Sequence, residues 1–226
     1  MFVWKRSAIA AVAVAFALLL SMSFALATVS AASVPAAAFT VVLDAGHGGI
    51  DPGVLGVKTK TKESEINLKI VKKLEKQFIS AGFRVVLTRK NGGGLYGLPT
   101  EGYKQRDMRK RKEIIEEAQP NAVISVHQNN FISDRSRRGG QVFFKPSDEN
   151  GRALADCIQG ELNALGGYDY SALRGDYYML NCSSYPSVIV ECGFLSNAED
   201  EALLLSEEYQ EEVALAIFKG ALSFFA

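Results

Sequence analysis

Short apolar runs alternate with longer amphipathic stretches along most of the chain. Runs rich in valine, isoleucine and phenylalanine predict strands over 40–44, 84–88, 122–126, 140–144 and 187–191. Between them the apolar period lengthens. In 64–80, Ile66, Ile70, Leu74 and Phe78 recur every fourth residue with Val71 beside them, laying one apolar stripe along a helix, and Gly82 follows as a stop. Residues 104–118, 149–165 and 207–224 read in the same way. Strands alternating with helices predict an α/β fold: a single domain on a mostly parallel mixed sheet of about five to six strands, with helices on both faces. No repeat is visible, and no linker suggests a second folded domain.

Two stretches invite a separate reading. Residues 91–102, NGGGLYGLPTEG, are broken by glycine and proline and predict a surface loop, or a lid or partner-docking loop should they lie near a site. Residues 104–112, KQRDMRKRK, form a basic run that reads as a solvated helix face or as a contact for anionic polymers.

The start of the chain differs from the rest. After Lys5 and Arg6 no charge occurs until Asp44. The apolar core from Ala8 to Leu20, followed by small-residue sites ending at Ala27, Ala31 and Ala38, has the layout of an export signal. Residues 1–39 are therefore expected to be a signal peptide, cleaved, or retained as an N-terminal membrane anchor, since the apolar stretch from Ser7 to Val29 is long enough to span a bilayer. Residues 40–226 then form the folded, exported domain, touching a membrane only through the N-terminal segment.

Composition narrows the partners. The chain has 25 basic and 25 acidic residues, and setting aside Lys5 and Arg6 tips the balance slightly toward acid, so no nucleic-acid partner is expected. Cys157, Cys182 and Cys192 are too few and too irregularly spaced for a disulfide framework or a thiolate zinc site.

There are only two histidines, and both lie where an apolar run gives out. VVLDAGH brings His47, VISVH ends on His127, and VIVE ends on Glu191. Ligands of α/β sheets sit beyond the carboxyl ends of the strands, so parallel strands would carry all three groups to one edge. A lone strand-end histidine is ordinarily a hydrogen-bonded structural residue. A carboxylate directly after Val188, Ile189 and Val190 is costly unless paired or bound, and three such groups at equivalent positions point to a shared site. Two imidazoles suggest a metal, and two histidines with one carboxylate form an established zinc set that leaves a fourth position open. The third ligand is sought among Glu63 and Glu65 at a helix start, Asp44, which more readily orients or caps the loop, and Asp51, which before Pro52 reads as a turn residue.

LDAGHGGIDPGVLG, KESEINL, ISVHQN and VIVECGFLSN, in that order and with LTR at 87–89 between them, resemble the zinc-dependent N-acetylmuramoyl-L-alanine amidases, a family of cell-wall hydrolases. The likeness spans residues 40–226. It implies one zinc ion per chain, held by His47, Glu63 and His127, with Glu191 as the catalytic glutamate. Ala45, Ser64 and Asn130 stand where the family often has proline, lysine and alanine. None of these removes a ligand, although Ser64 leaves Glu65 as a rival to Glu63.

The resemblance further implies hydrolysis of the amide joining the lactyl group of N-acetylmuramic acid to L-alanine in peptidoglycan. The short form without wall-binding repeats is similar to the spore-cortex amidases of sporulation and germination. Some of those depend on an activating lipoprotein, which joins peptidoglycan among the expected partners. The alternatives are a zinc peptidase of the stem peptide and a non-catalytic wall-binding regulator. Cys192 raises a further alternative, a thiol nucleophile with His47 or His127 as base. Strand alternation turns Cys192 away from the site if Glu191 faces it. FLSNAED, 194–200, reads as a helix cap built on Ser196 and Glu199 or on Asn197 and Asp200.

Overall fold

The computed structural model describes residues 39–226, so the expected signal or anchor segment lies, apart from Phe39, outside the described residues. All five expected strands form: β1 (Thr40–Ala45), β2 (Arg84–Leu87), β3 (Ala122–Asn129), β4 (Gln141–Phe144) and, after a two-residue β5 (Leu173–Arg174), β6 (Ser187–Phe194). The helices are α1 (Glu63–Ser80), α2 (Tyr103–Ala118), α3 (Glu149–Gly166), α4 (Tyr178–Asn181), α5 (Ala198–Leu205) and α6 (Glu207–Phe225). Neither β5 nor α4 was expected, because two and four residues are too short to display a period.

The six strands form one sheet in the order β2-β1-β3-β6-β4-β5. Strands β2, β1, β3 and β6 run parallel, β4 lies antiparallel to β6, and β5 follows β4 in parallel. Helices cover both faces, which is why the central strands are almost solid in aliphatic residues instead of alternating. Val41, Val42, Leu43, Ile124, Val126 and Val190 have no solvent exposure. On one face Val42, Val123 and Ile189 pack with Ile115 and Ala118 of α2 and with Met179, Leu180 and Cys182 in and just after α4. Helices α1, α3 and α6 pack together on the other. There Phe78 of α1 stands edge-on to Phe218 of α6, ring centroids 5.0 Å apart.

Two helix starts are fastened to loops at the carboxyl edge of the sheet. Lys62 gives α1 no side-chain cap. Instead the Glu63 and Ser64 N–H groups donate to the carbonyls of Val54 and Pro52 at 2.9 and 3.0 Å, which ties the helix to the glycine-rich loop after β1. For α5 the cap is Asn197, whose side chain accepts from the N–H groups of Glu199 and Asp200. Asp200 in turn accepts from the Phe194 N–H at 2.9 Å and so fixes the end of β6. Among the described residues no helix is long and apolar enough to cross a membrane.

Candidate metal centre

Strands β1, β3 and β6 are neighbours and parallel, so their carboxyl ends open on one edge of the sheet. His47 lies two residues beyond β1, while His127 and Glu191 are register partners on β3 and β6. Helix α1 returns over this edge and delivers Glu63. His47 Nε2 and His127 Nδ1 both approach Glu63 Oε1, at 3.3 and 2.9 Å, and the two rings meet edge-on with centroids 5.0 Å apart. The ligand atoms of His47, Glu63 and His127 all lie within 4.8 Å of one another. Ligands about 2 Å from a tetrahedral zinc stand about 3.3 Å apart, so this donor set fits the metal. Glu63 is 2 % exposed. Glu65 is exposed and faces Lys62, so it is Glu63 that reaches the imidazoles.

The loop that presents His47 is held in a conformation few residues adopt. His47 has φ 61°, in the left-handed region that disfavours a side chain. Two buried arginines grip its carbonyls. Arg111 donates to the oxygens of Ala45 and His47 at 2.9 and 2.7 Å. Arg89 donates to those of Ala45, Gly46 and, across on α1, Ser64, at 2.8, 3.1 and 2.7 Å. Asp51 completes the support, with Oδ2 3.0 Å from His47 Nδ1 and Oδ1 accepting from the Gly53 N–H at 3.2 Å. It is thus both the expected turn residue and an orienter of His47. Glycine is required where the chain passes the rings. A Cβ on Gly46 would fall 2.2 Å from His127 Cε1, and one on Gly53 would fall 2.3 Å from Glu63 Oε2.

Three carboxylates have distinct electrostatic settings. Burial alone would raise the Glu63 pKa, but the imidazoles of His127 and His47 outweigh it and hold the carboxyl well below the usual range. Oε1 also accepts from Asn67 Nδ2 and the Gln128 N–H, each at 3.1 Å, and Oε2 accepts from the Val54 N–H at 2.9 Å. Asp44 is wholly buried, and against the raising effect of burial Arg111, Ser125 and Thr88 bring it down to about 2. It lies in the polar layer under the loop and does not join the donors. Glu191 is the opposite case: burial, reinforced by the charge of Glu63 and opposed by His127 and His47, pushes it up to about 7. Its Oε2 is out of solvent contact and has no hydrogen-bond partner among the described residues. A carboxyl poised near neutrality with a free oxygen is suited to taking up and giving back a proton. His47, for its part, is lowered by burial but raised more strongly by Asp51 and Glu63, to about 9 without a metal.

Cys192 is 1 % exposed and burial pushes its thiol far up, so no thiolate nucleophile is available there. The loop at 91–102 lies against the glycine-rich loop: the Gly49 N–H donates to the Gly92 carbonyl and the Ile50 N–H to the Tyr96 hydroxyl, each at 2.7 Å. A cleft of about 150 Å³, lined by His47, His127, Asp51, Lys104 and Tyr177 among others, opens on the two imidazoles.

Sequence reasoning missed four supporting residues. Asn67 carried a signal, since it lies one helical turn after Glu63 and shares its face. Gln128 follows His127, and its side chain donates to Asn67 at 3.1 Å. Arg89 sat unassigned in LTR, and Arg111 was hidden in the basic run.

The model of the N-acetylmuramoyl-L-alanine amidase family matches residues 41–223. The chain is 33% identical over 199 residues to the germination-specific N-acetylmuramoyl-L-alanine amidase of Bacillus subtilis, covering 85% of this chain and 82% of that one. Among solved structures, the CwlD amidase from Clostridioides difficile, determined in complex with the GerS lipoprotein, matches with a TM-score of 0.78 at 37% identity, over 83% of this chain and 98% of that one. The catalytic domain of CwlV from Bacillus (Paenibacillus) polymyxa matches with a TM-score of 0.73 at 27% identity, over 83% and 98%.

Proposed function

The chain belongs to the N-acetylmuramoyl-L-alanine amidase family and is an amidase of that kind, and on this premise we propose that His47, Glu63 and His127 hold one zinc ion and that Glu191 is the catalytic acid and base. Bound at these donors, zinc would supply Lewis acidity toward the amide carbonyl and toward water. The protein's own groups do the rest. Asp51 occupies His47 Nδ1 and so leaves Nε2 free to act as a ligand. Glu63 is kept ionised by its neighbours and by two main-chain N–H groups. Glu191 accepts the proton of the attacking water and returns it to the nitrogen of L-alanine as the amide C–N bond breaks. The products are a lactyl carboxylate on the sugar and a free L-alanine amine. The observation that carries this reading is the buried, unpartnered carboxylate oxygen of Glu191 on the residue paired with His127.

The substrate is accordingly peptidoglycan, of the vegetative wall or the spore cortex, with a role in wall remodelling, sporulation or germination. Residues 1–39 carry the chain out of the cytoplasm as a signal peptide or anchor, and residues 40–226 are the catalytic domain. The likeness to an amidase solved with a lipoprotein supports an activating lipoprotein partner.

Mass spectrometry of purified peptidoglycan after incubation with the zinc-loaded protein tests the reaction. New L-alanine amino termini and lactyl-bearing glycan are expected. New termini inside the stem peptide would make the enzyme a peptidase, and intact peptidoglycan from zinc-loaded protein with its lipoprotein partner would make it a wall-binding regulator.

A further inference from the structure

The basic run at 104–112 does not act as one surface. Arg111 is buried beneath His47. Arg106 is spent on the neighbouring loop, donating to the carbonyls of Tyr96, Leu98 and Glu101 at 3.0, 2.8 and 2.7 Å. Lys110 pairs with Glu113 at 2.9 Å. Lys112 is exposed and lines neither this groove nor the cleft over the site. Lys104, whose exposed ammonium stands 3.8 Å from Asp51, and Arg109 line, with Gln105, Met108 and Tyr178, an open groove of about 390 Å³ with no carboxylate among its lining residues. Lys104, Met108 and Tyr178 also line the cleft over the metal donors, so the groove is the outward continuation of that cleft. Tyr178 is 48 % exposed there, an aromatic wall with nothing packed over much of it.

The two halves of the substrate differ in charge. On the sugar side the lactyl carboxyl is consumed in the amide, and the sugar is neutral. On the amine side the peptide carries carboxylates, at the least its own C-terminal one. A groove with two cations and no acid complements only the second half. We propose that the groove between α2 and Tyr178 is the subsite for the peptide on the amine side of the scissile bond, and that Lys104 and Arg109 recognise its carboxylates while Met108 and Tyr178 take its apolar surface. This rests on the amidase reading for the identity of the substrate but not for its test.

The probes are a synthetic stem peptide beginning with L-alanine and bearing free carboxylates, and the same peptide with every carboxylate amidated. Their binding to the full chain is measured by calorimetry, without turnover. Amidation is expected to weaken binding roughly five- to tenfold, the size of two partly exposed charge pairs. K104E/R109E should lose affinity for the free peptide by a similar factor, keep that for the amidated one, and raise KM more than it lowers kcat. K104R/R109K should recover most of the loss. R109E alone carries the test should K104E disturb Asp51, its neighbour at 3.8 Å. Equal binding of both peptides, or equal loss of both in the variants, overturns the subsite. So does binding of poly(glycerol phosphate) in this groove while the peptide is ignored. Failure of the amidase reading would show separately, as unaltered muramoyl-L-alanine linkages.

Discussion

Arg111 donates from Nη2 to the main-chain oxygen of His47 at 2.7 Å, from a side chain with no solvent exposure. The same guanidinium binds the carboxylates of Asp44 and Asp107 and the carbonyl of Ala45. One cation thus fastens α2 to the end of β1 and holds His47 in its left-handed conformation. Arg111→Lys keeps the charge but not the planar fork. We expect it to cost about 3 kcal/mol of stability in thermal unfolding and to weaken zinc binding roughly tenfold in competition with a chelator. Unchanged zinc affinity in a folded variant would reduce Arg111 to a structural residue.

Asp51→Asn retains the shape of the turn but offers a weaker partner to His47 Nδ1. Zinc affinity should fall on the order of 10- to 100-fold, as for other second-layer partners of ligating histidines. Stability without metal should fall as well, because the carboxylate that His47 and the Gly53 N–H hold below its usual pKa is lost. Competition titrations on the variant and the parent decide this.

Glu191→Gln separates proton transfer from metal binding. Zinc content, read by elemental analysis, should stay at the parent level while turnover falls roughly 10²- to 10⁴-fold. Loss of zinc in this variant would make Glu191 a ligand and remove it from its role in proton transfer.

Acid should weaken the metal-free protein through Asp44. Its pKa is lowered from 3.8 to about 2 on folding, so the ionised carboxylate favours the folded state. That contribution, about 2 kcal/mol, is fully present above the unfolded value near pH 4 and is lost as the pH falls through about 2. Asp51 and Glu63 are lowered too and act in the same sense. Urea unfolding from pH 5 to pH 2 should therefore show a shallower acid decline in Asp44→Asn than in the parent, from a lower starting stability. Parallel declines would contradict this role for Asp44.

Cys192→Ser should keep turnover within about twofold, since the buried, protonated thiol takes no part in the reaction. A loss of activity without loss of fold or zinc would revive the thiol mechanism.

The architecture was open to reading because the covered strands are near-continuous aliphatic runs and the helices carry clear stripes, as with Ile66, Ile70, Leu74 and Phe78. The convergence of His47, His127 and Glu191 was equally accessible, since each closes an apolar run and parallel strands share an edge. What lay beyond the pattern was the support. Arg111 has the same letter as the solvated Arg109 beside it in the basic run, and only the three-dimensional turn of α2 buries one and exposes the other. Arg89 grips four main-chain oxygens, groups that every residue offers and no sequence marks. The choice of Glu63 over Glu65 depended on where the loop at 52–54 anchors the helix, a matter of two hydrogen bonds.

The last strand of the chain does not sit at the margin of the sheet: β6 lies between β3 and β4. A chain that ends with β5 therefore contains His47, Glu63 and His127 but has a gap in the middle of the sheet and lacks Glu191 beside His127. Completion of residues 187–194 closes the gap and supplies Glu191 in a single event. The segment that completes the sheet is thus the same one that completes the candidate site, so a chain cut before residue 187 lacks both.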